Sequence, residues 1–340
     1  MSQEGIKTKD VALVLSSGGP RGFAYIGAIE ELERRGYNIT SVAGCSIGSL
    51  VGGIYAAGGL AEFKQWLFHL NNMRLMSLLD VSLSKSYLVK GQKVMDAIKK
   101  VVPDVNIEDM HIPYTAVSTD LYTGEEVVFR SGPLFDAIRA SISIPSLFRP
   151  VKYGYHTLID GGIINTTPLS LVERNGHDIL VAFDVNQLDC KRVSEYVRQV
   201  EQARNDGSSI FPGAIDSFEE IASKKGLSLI ERVKMVGDEA HKAFMEKKEV
   251  ENRAKELEVT AANESMPVVA DDNYYSILSR SFSLMLRTIS SLQVQLYKPD
   301  VLVNMNFDTY QDIADYAKGE EIAEKGRALM AAALDNYEVV

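Results

Sequence analysis

Ser46 stands between two glycines in Ser41-Val42-Ala43-Gly44-Cys45-Ser46-Ile47-Gly48-Ser49-Leu50, a Gly-x-Ser-x-Gly arrangement. A neutral serine hydroxyl is a weak nucleophile, so it needs a base for its proton and donors for the oxyanion it creates. Ile39 and Val42 read as the end of a strand, and the small residues after Ser46 read as a helix. A serine on so sharp a strand-to-helix turn is pushed out of the sheet, and the glycines leave room for the turn and for a substrate. The new helix aims its N-terminal N–H groups at whatever the serine attacks. The same five residues also suit a glycine-rich turn that packs a helix closely on a sheet.

A second glycine run precedes it. Val11-Ala12-Leu13-Val14-Leu15 is an apolar stretch of strand length, and it runs into Ser16-Ser17-Gly18-Gly19-Pro20-Arg21-Gly22. No Lys-Ser/Thr pair follows, and the spacing is not Gly-x-Gly-x-x-Gly, so nucleotide binding has weak support. The loop offers a row of backbone N–H groups beside a helix start, a nest for an anion; the plain alternative is an ordinary tight turn. A nest and an exposed serine at neighbouring strand ends are the parts acyl transfer requires. Asp160, in Tyr155-His156-Thr157-Leu158-Ile159-Asp160-Gly161-Gly162, is a carboxylate at a strand end before two glycines. On its own it suits a turn as well as a catalytic base. His69, His111, His156, His177 and His241 show no metal-ligand spacing.

Elements must hold these groups. After the first glycine loop, Tyr25, Ile26, Ile29 and Leu32 recur at helical spacing and Gly36 stops them. The uncharged stretch Gly36 to Ala61 is long enough to span a bilayer, but its seven glycines fit a strand, a turn and a small-residue helix better. Leu60 to Leu83 reads as a helix with Phe63, Trp66, Leu67 and Leu70 on one face. Leu83 to Val102 gathers five lysines against Asp96, either a solvated helix face or a basic lip for lipid headgroups. Ile112 to Ser118 and Glu126 to Phe129 read as a hairpin, and Leu134 to Ser141 as a helix. Strands are expected around Val151, before Asp160 and over Gly176 to Val185. Lys191 to Asp272 is charged, mixed in sign and helical in pattern. Leu278 to Leu296 reads as an amphipathic helix, Asp300 to Met305 as a strand and Asp312 to Leu334 as a closing helix. Alternating strand and helix make this an α/β chain with a parallel sheet.

The chain of 340 residues is 46% hydrophobic, ample for a core, and its net charge of -10 argues against nucleic acid as a partner. Lipid contact must then be local. Two cysteines, Cys45 and Cys190, make no disulfide framework, and Met1 to Asp10 lacks the apolar core of a signal peptide. A cytoplasmic protein is expected.

Together, Ser17-Gly18-Gly19-Pro20-Arg21-Gly22, Gly44-Cys45-Ser46-Ile47-Gly48 and Asp160-Gly161-Gly162 resemble the three blocks of the patatin-like phospholipases. Thr119-Asp120 with Thr123-Gly124, and Ala140-Ser141-Ile142-Ser143-Ile144-Pro145, look like the bacterial branch of that family. Ser17 stands where the family usually has its first glycine. The resemblance implies a three-layer α/β fold, a mainly parallel central sheet flanked by helices. The matching domain comprises 9–186 together with 276–335, and 190–275 is a mostly helical insertion. It further implies a serine lipid acyl hydrolase with Ser46 as nucleophile, Asp160 as base and an oxyanion hole of Gly18, Gly19, Arg21 and Gly22 backbone amides. Pro20 has no N–H to offer. No cofactor and no metal are expected; the expected partners are a lipid or lysolipid substrate and a membrane surface touched peripherally. Rival readings are an α/β-hydrolase whose triad ends at His177, a lipid-binding scaffold without catalysis, and a small nucleotide-binding protein.

Overall fold

The computed structural model describes residues 9–78, 80, 87–187, 274–306, 309–310 and 313–339. The chain divides into two compact units, Met1–Leu188 with Tyr275–Val340, and Asp189–Tyr274. The insertion expected over 190–275 lies outside the described residues until Tyr274.

The first unit is built on an eight-stranded sheet. Strand β1 (Asp10–Leu15) pairs in parallel with β2 (Asn38–Cys45) on one side and with β9 (Ile179–Gln187) on the other. Outward from β9 comes β10 (Val301–Asn306), and outward from β2 comes β4 (Tyr114–Asp120), both parallel. Beyond this parallel half, β5 (Glu126–Phe129) and β8 (His156–Asp160) pair antiparallel with β4, and β7 (Val151–Tyr153) pairs antiparallel with β8. Two short strands, β3 (Tyr87–Val89) and β6 (Ser146–Phe148), form a separate parallel pair.

The apolar runs are continuous because both faces of the parallel half are covered. Val11, Leu13 and Leu15 join the large core cluster on one face, whereas Ala12 and Val14 join a smaller cluster with Leu169, Val172 and Leu180 on the other. The large cluster takes in helices α1 (Ala24–Arg34), α2 (Ile47–Ala56), α3 (Leu60–Phe68), α5 (Gln92–Ile98), α6 (Leu134–Ser141) and the closing helix, α8 (Gly319–Val339). The second face is packed by Leu169 and Val172 and by Val294 of α7 (Tyr274–Tyr297). Three layers result, with the sheet in the middle.

The helix expected over Leu60 to Leu83 is interrupted. It ends at Phe68 and resumes as α4 (Asn72–Leu78), with Asn71 Oδ1 accepting from the Arg74 N–H in the new first turn. Asparagine at that position competes for backbone N–H groups and restarts a helix. The lysine-rich stretch holds β3 and α5 rather than one helix face, and Lys99 is paired with Asp104 at 2.7 Å. The closing helix starts at Gly319, after a 3-10 turn at Ile313–Ala317, and Lys318 alone separates the two. Gly36 to Ala61 folds as strand, turn and buried helix, and among the described residues no helix is long and apolar enough to cross a membrane.

Candidate active site

Ser46 joins β2 to α2 with φ 53° and ψ -120°, a region that non-glycine residues enter only under constraint. The constraint is visible. The Ser46 N–H donates to Ser141 Oγ at 2.9 Å, and the Ser46 carbonyl accepts from Ser49 Oγ at 2.6 Å and from the Leu50 N–H at 3.1 Å. The flanking glycines allow the backbones to close up. A Cβ on Gly48 would sit 2.2 Å from the Leu15 carbonyl oxygen, and one on Gly44 would sit 2.3 Å from the Gly48 carbonyl oxygen. Glycine is therefore required by packing, and the tight turn lifts the serine out of the sheet.

Asp160 reaches Ser46 through the pairing of β4. Val42 N–H donates to Pro113 O, and Leu121 N–H donates to Thr157 O, so odd-numbered positions of β4 face both β2 and β8. Asp120 N–H donates to Glu125 O, so even-numbered positions face β5. β2 and β8 thus lie along the same edge of β4. β2 climbs to Cys45 opposite Val117, and β8 descends to Asp160 opposite Ser118. The two strands end head to head, one register step apart, and the residues at their ends meet. Ser46 Oγ donates to Asp160 Oδ2 at 2.5 Å.

The carboxylate is buried, as is the serine. Its second oxygen, Oδ1, accepts from the Gly162 N–H at 2.8 Å, and the Asp160 N–H donates to the Ser143 carbonyl at 2.9 Å. Desolvation raises its pKa from 3.8 to about 6, against the opposing pull of the Ser46 and Gly162 hydrogen bonds. Behind the pair, burial pushes the Cys45 thiol well above its ordinary range, so it stays a neutral filler.

The glycine loop closes the other side. Gly18 and Gly19 have φ 156° and 59°, and a Cβ on Gly18 would meet Val185 Cγ2 at 2.2 Å. Their N–H groups meet no acceptor among the described residues. Arg21 and Gly22 lie within the 3-10 turn Gly19–Phe23, whose i→i+3 bonding draws on their own N–H groups. Among the described residues, the donors without an acceptor are therefore at the start of the loop. The Arg21 side chain is buried, with Nη1 3.4 Å from the Thr309 carbonyl, which gives it a structural place.

His177 lies two residues before Ile179, which pairs with Val11 at the opposite end of the sheet from Ser46. His156 lies four positions up the strand from Asp160, about 13 Å at about 3.3 Å per residue, and its Nδ1 is 2.5 Å from Asp120 Oδ2. Neither geometry makes a triad with Ser46. Sequence reasoning missed three neighbours. Ser141 lies within 140–145, where the sequence gives it no role of its own. Tyr316 places its hydroxyl 3.6 Å from where a Cβ on Gly19 would stand; its ring meets Phe23 edge-on and burial raises its pKa to about 12. Asn186, with Asp184, backs the glycine loop; polar residues at alternate positions right after the apolar run 179–183 were the available signal.

The family model described as patatin-like phospholipase matches residues 13–172. An uncharacterised NTE family protein of Mycobacterium tuberculosis is 30% identical, over 98% of this chain and 94% of that protein. A lysophospholipase of Cryptococcus neoformans is 32% identical over 55% of this chain and 12% of its own length. The patatin-like phospholipase domain-containing protein 6 of Mus musculus is also 32% identical, over 55% of this chain and 14% of that protein. Among solved structures, VipD from Legionella pneumophila aligns with a TM-score of 0.39 and 13% identity, over 96% of this chain and 67% of that one. Full-length similarity to the mycobacterial protein and the family match across the glycine loop, the elbow and the Asp160 turn agree: the chain belongs to the patatin-like phospholipase family.

Proposed function

We propose that the protein hydrolyses fatty-acyl esters of phospholipids or lysophospholipids through a Ser46–Asp160 dyad. The observation that carries this reading is the 2.5 Å hydrogen bond from the Ser46 hydroxyl to a buried carboxylate, on a strained elbow beside two backbone donors that meet no acceptor among the described residues. Ser46 Oγ attacks the ester carbonyl carbon as Asp160 Oδ2 takes the hydroxyl proton. The carbonyl oxygen, now carrying the negative charge, is met by the Gly18 and Gly19 amides. Collapse of the tetrahedral intermediate breaks the bond to the leaving alcohol, which takes the proton from Asp160. Water then attacks the acyl-enzyme by the same route, releasing the fatty acid and restoring Ser46.

The carboxylate is well matched to this work. With a pKa of about 6 it is ionised at neutral pH, yet it is a far better proton acceptor than an exposed aspartate. The family match and the relatives named as phospholipase and lysophospholipase support a lipid substrate. The sequence supports a cytoplasmic protein that touches membrane only at its periphery. The test is fatty-acid release from lysophosphatidylcholine micelles and phosphatidylcholine vesicles, alongside fluorophosphonate labelling. Wild type should release fatty acid and label at Ser46, and Ser46→Ala should do neither. Wild type that labels nowhere and releases nothing from either lipid would end this reading.

A further inference from the structure

The glycine loop is held from behind by a polar network in the core, where apolar residues would pack at lower cost. Asp184 is fully buried on β9. Its Oδ1 accepts from the Asn186 N–H at 3.0 Å and from Asn186 Nδ2 at 3.1 Å, and its Oδ2 accepts from Gln187 Nε2 at 2.6 Å and Ser290 Oγ at 2.7 Å. Both carboxyl oxygens thus have partners. The carboxamide so anchored faces the loop. Asn186 Nδ2 donates to the Ser17 carbonyl at 2.7 Å and approaches Ser16 Oγ at 3.2 Å. Ser16 is itself fixed, its N–H donating to Phe183 O, its Oγ donating to Ser17 O and accepting from the Val185 N–H.

The Ser17 carbonyl is one half of the peptide whose other half is the Gly18 N–H. In a trans peptide these two groups point in opposite directions. Drawing the carbonyl toward β9 therefore turns the Gly18 N–H away from β9, to the open end of the loop where no acceptor among the described residues meets it. We infer that Asn186, anchored on Asp184, is a positioning residue that aims the Gly18 N–H at the oxyanion formed by Ser46. The inference rests on the dyad reading above. It gives a role to Asp184 and Asn186, which the dyad itself does not use.

The test uses the full chain with a soluble p-nitrophenyl butyrate substrate, and active sites are counted by fluorophosphonate titration. Asn186→Ala should lower kcat per titrated site about 10- to 100-fold. That falls short of the 10²–10³ typical when a donor is lost outright, because the amide remains but is no longer aimed. KM should stay within about threefold. The labelling rate constant should fall in parallel with kcat, since the phosphonyl oxygen occupies the same hole, and the pH midpoint set by Asp160 should not move. Ser290→Ala, which loosens Asp184 but leaves Asn186 in place, should lower kcat less, about threefold. If Asn186→Ala does not fold, Asn186→Ser and Ser290→Ala carry the same readouts. An unchanged kcat per titrated site, with only the fraction of active protein reduced, overturns the inference, as does a rise in KM at constant kcat. Failure of wild type to label at Ser46 sinks the dyad reading and this inference together. Labelling at Ser46 with an unchanged kcat per site in the Asn186 variants sinks this inference alone.

Discussion

The parallel half of the sheet and its antiparallel edge bring different things to the site. From the parallel half come Ser46, the proposed nucleophile, at the end of β2, and the Gly18 and Gly19 amides, at the end of β1; both follow strands that rise in the same direction. The acidic partner comes from β8, which runs the other way along the same edge of β4. A wholly parallel sheet would put a neighbouring strand alongside β2, with its end beside the elbow rather than facing it. Reversing one strand lets its end confront the serine directly. A carboxylate can then sit in line with the hydroxyl, without a long loop to carry it there.

Substitutions can separate these contributions. Ser46→Ala should have the largest effect, a fall in kcat/KM of at least about 10⁴, read with a soluble ester, and complete loss of fluorophosphonate labelling. Asp160→Asn should lower kcat by about 10³, because the edge would keep its hydrogen-bond geometry and lose its base. The same variant should be at least as stable as wild type at pH 8 in urea denaturation. A folded-state pKa of about 6 against 3.8 means that the native protein holds the proton more tightly than the unfolded chain. Wild type therefore loses stability as pH rises between those values, by up to about 3 kcal/mol, and asparagine avoids that loss. The wild-type kcat should rise with a midpoint near pH 6.

Smaller effects sharpen the contrast. Gly48→Ala places a methyl 2.2 Å from a strand carbonyl and should destabilise the parallel half by about 3–5 kcal/mol, measured by the same urea titration. Ser141→Ala leaves the Ser46 N–H without its acceptor and should cost about 1–3 kcal/mol of stability, with kcat lowered about tenfold as the elbow relaxes. His177→Ala, at the far end of the sheet, should leave kcat within about threefold. A loss there comparable to Ser46→Ala would restore the triad that the geometry disfavours.

The parallel half was legible in the letters because burial on both faces leaves an unbroken apolar run, as in Val11 to Leu15 and Ile179 to Phe183. The elbow was legible because only glycine fits against the Leu15 and Gly48 carbonyls. Asp160 was legible from its own segment only as a strand-end carboxylate; its pairing with Ser46 came from the family resemblance, because the meeting depends on the one-step register between Val117 and Ser118. No local pattern encodes that register. The break at His69 to Asn71 was hidden because apolar spacing continues across it. The 3-10 turn at Arg21 and Gly22 was hidden because a glycine-rich stretch does not announce such winding.

The Asp160 carboxylate divides its labour between its oxygens. With Oδ1 bound by the Gly162 amide and Oδ2 by the serine hydroxyl, the group is not free to spin. One oxygen must both collect and return the hydrogen. In the proposed reaction the departing alcohol therefore has to lie within reach of the very atom that took the serine's proton, while the carbonyl oxygen points to the glycines. That leaves a single way to seat an ester: alcohol portion toward β8, acyl chain elsewhere. On the proposed mechanism, the site imposes a handedness on its substrate before any pocket has measured the chain.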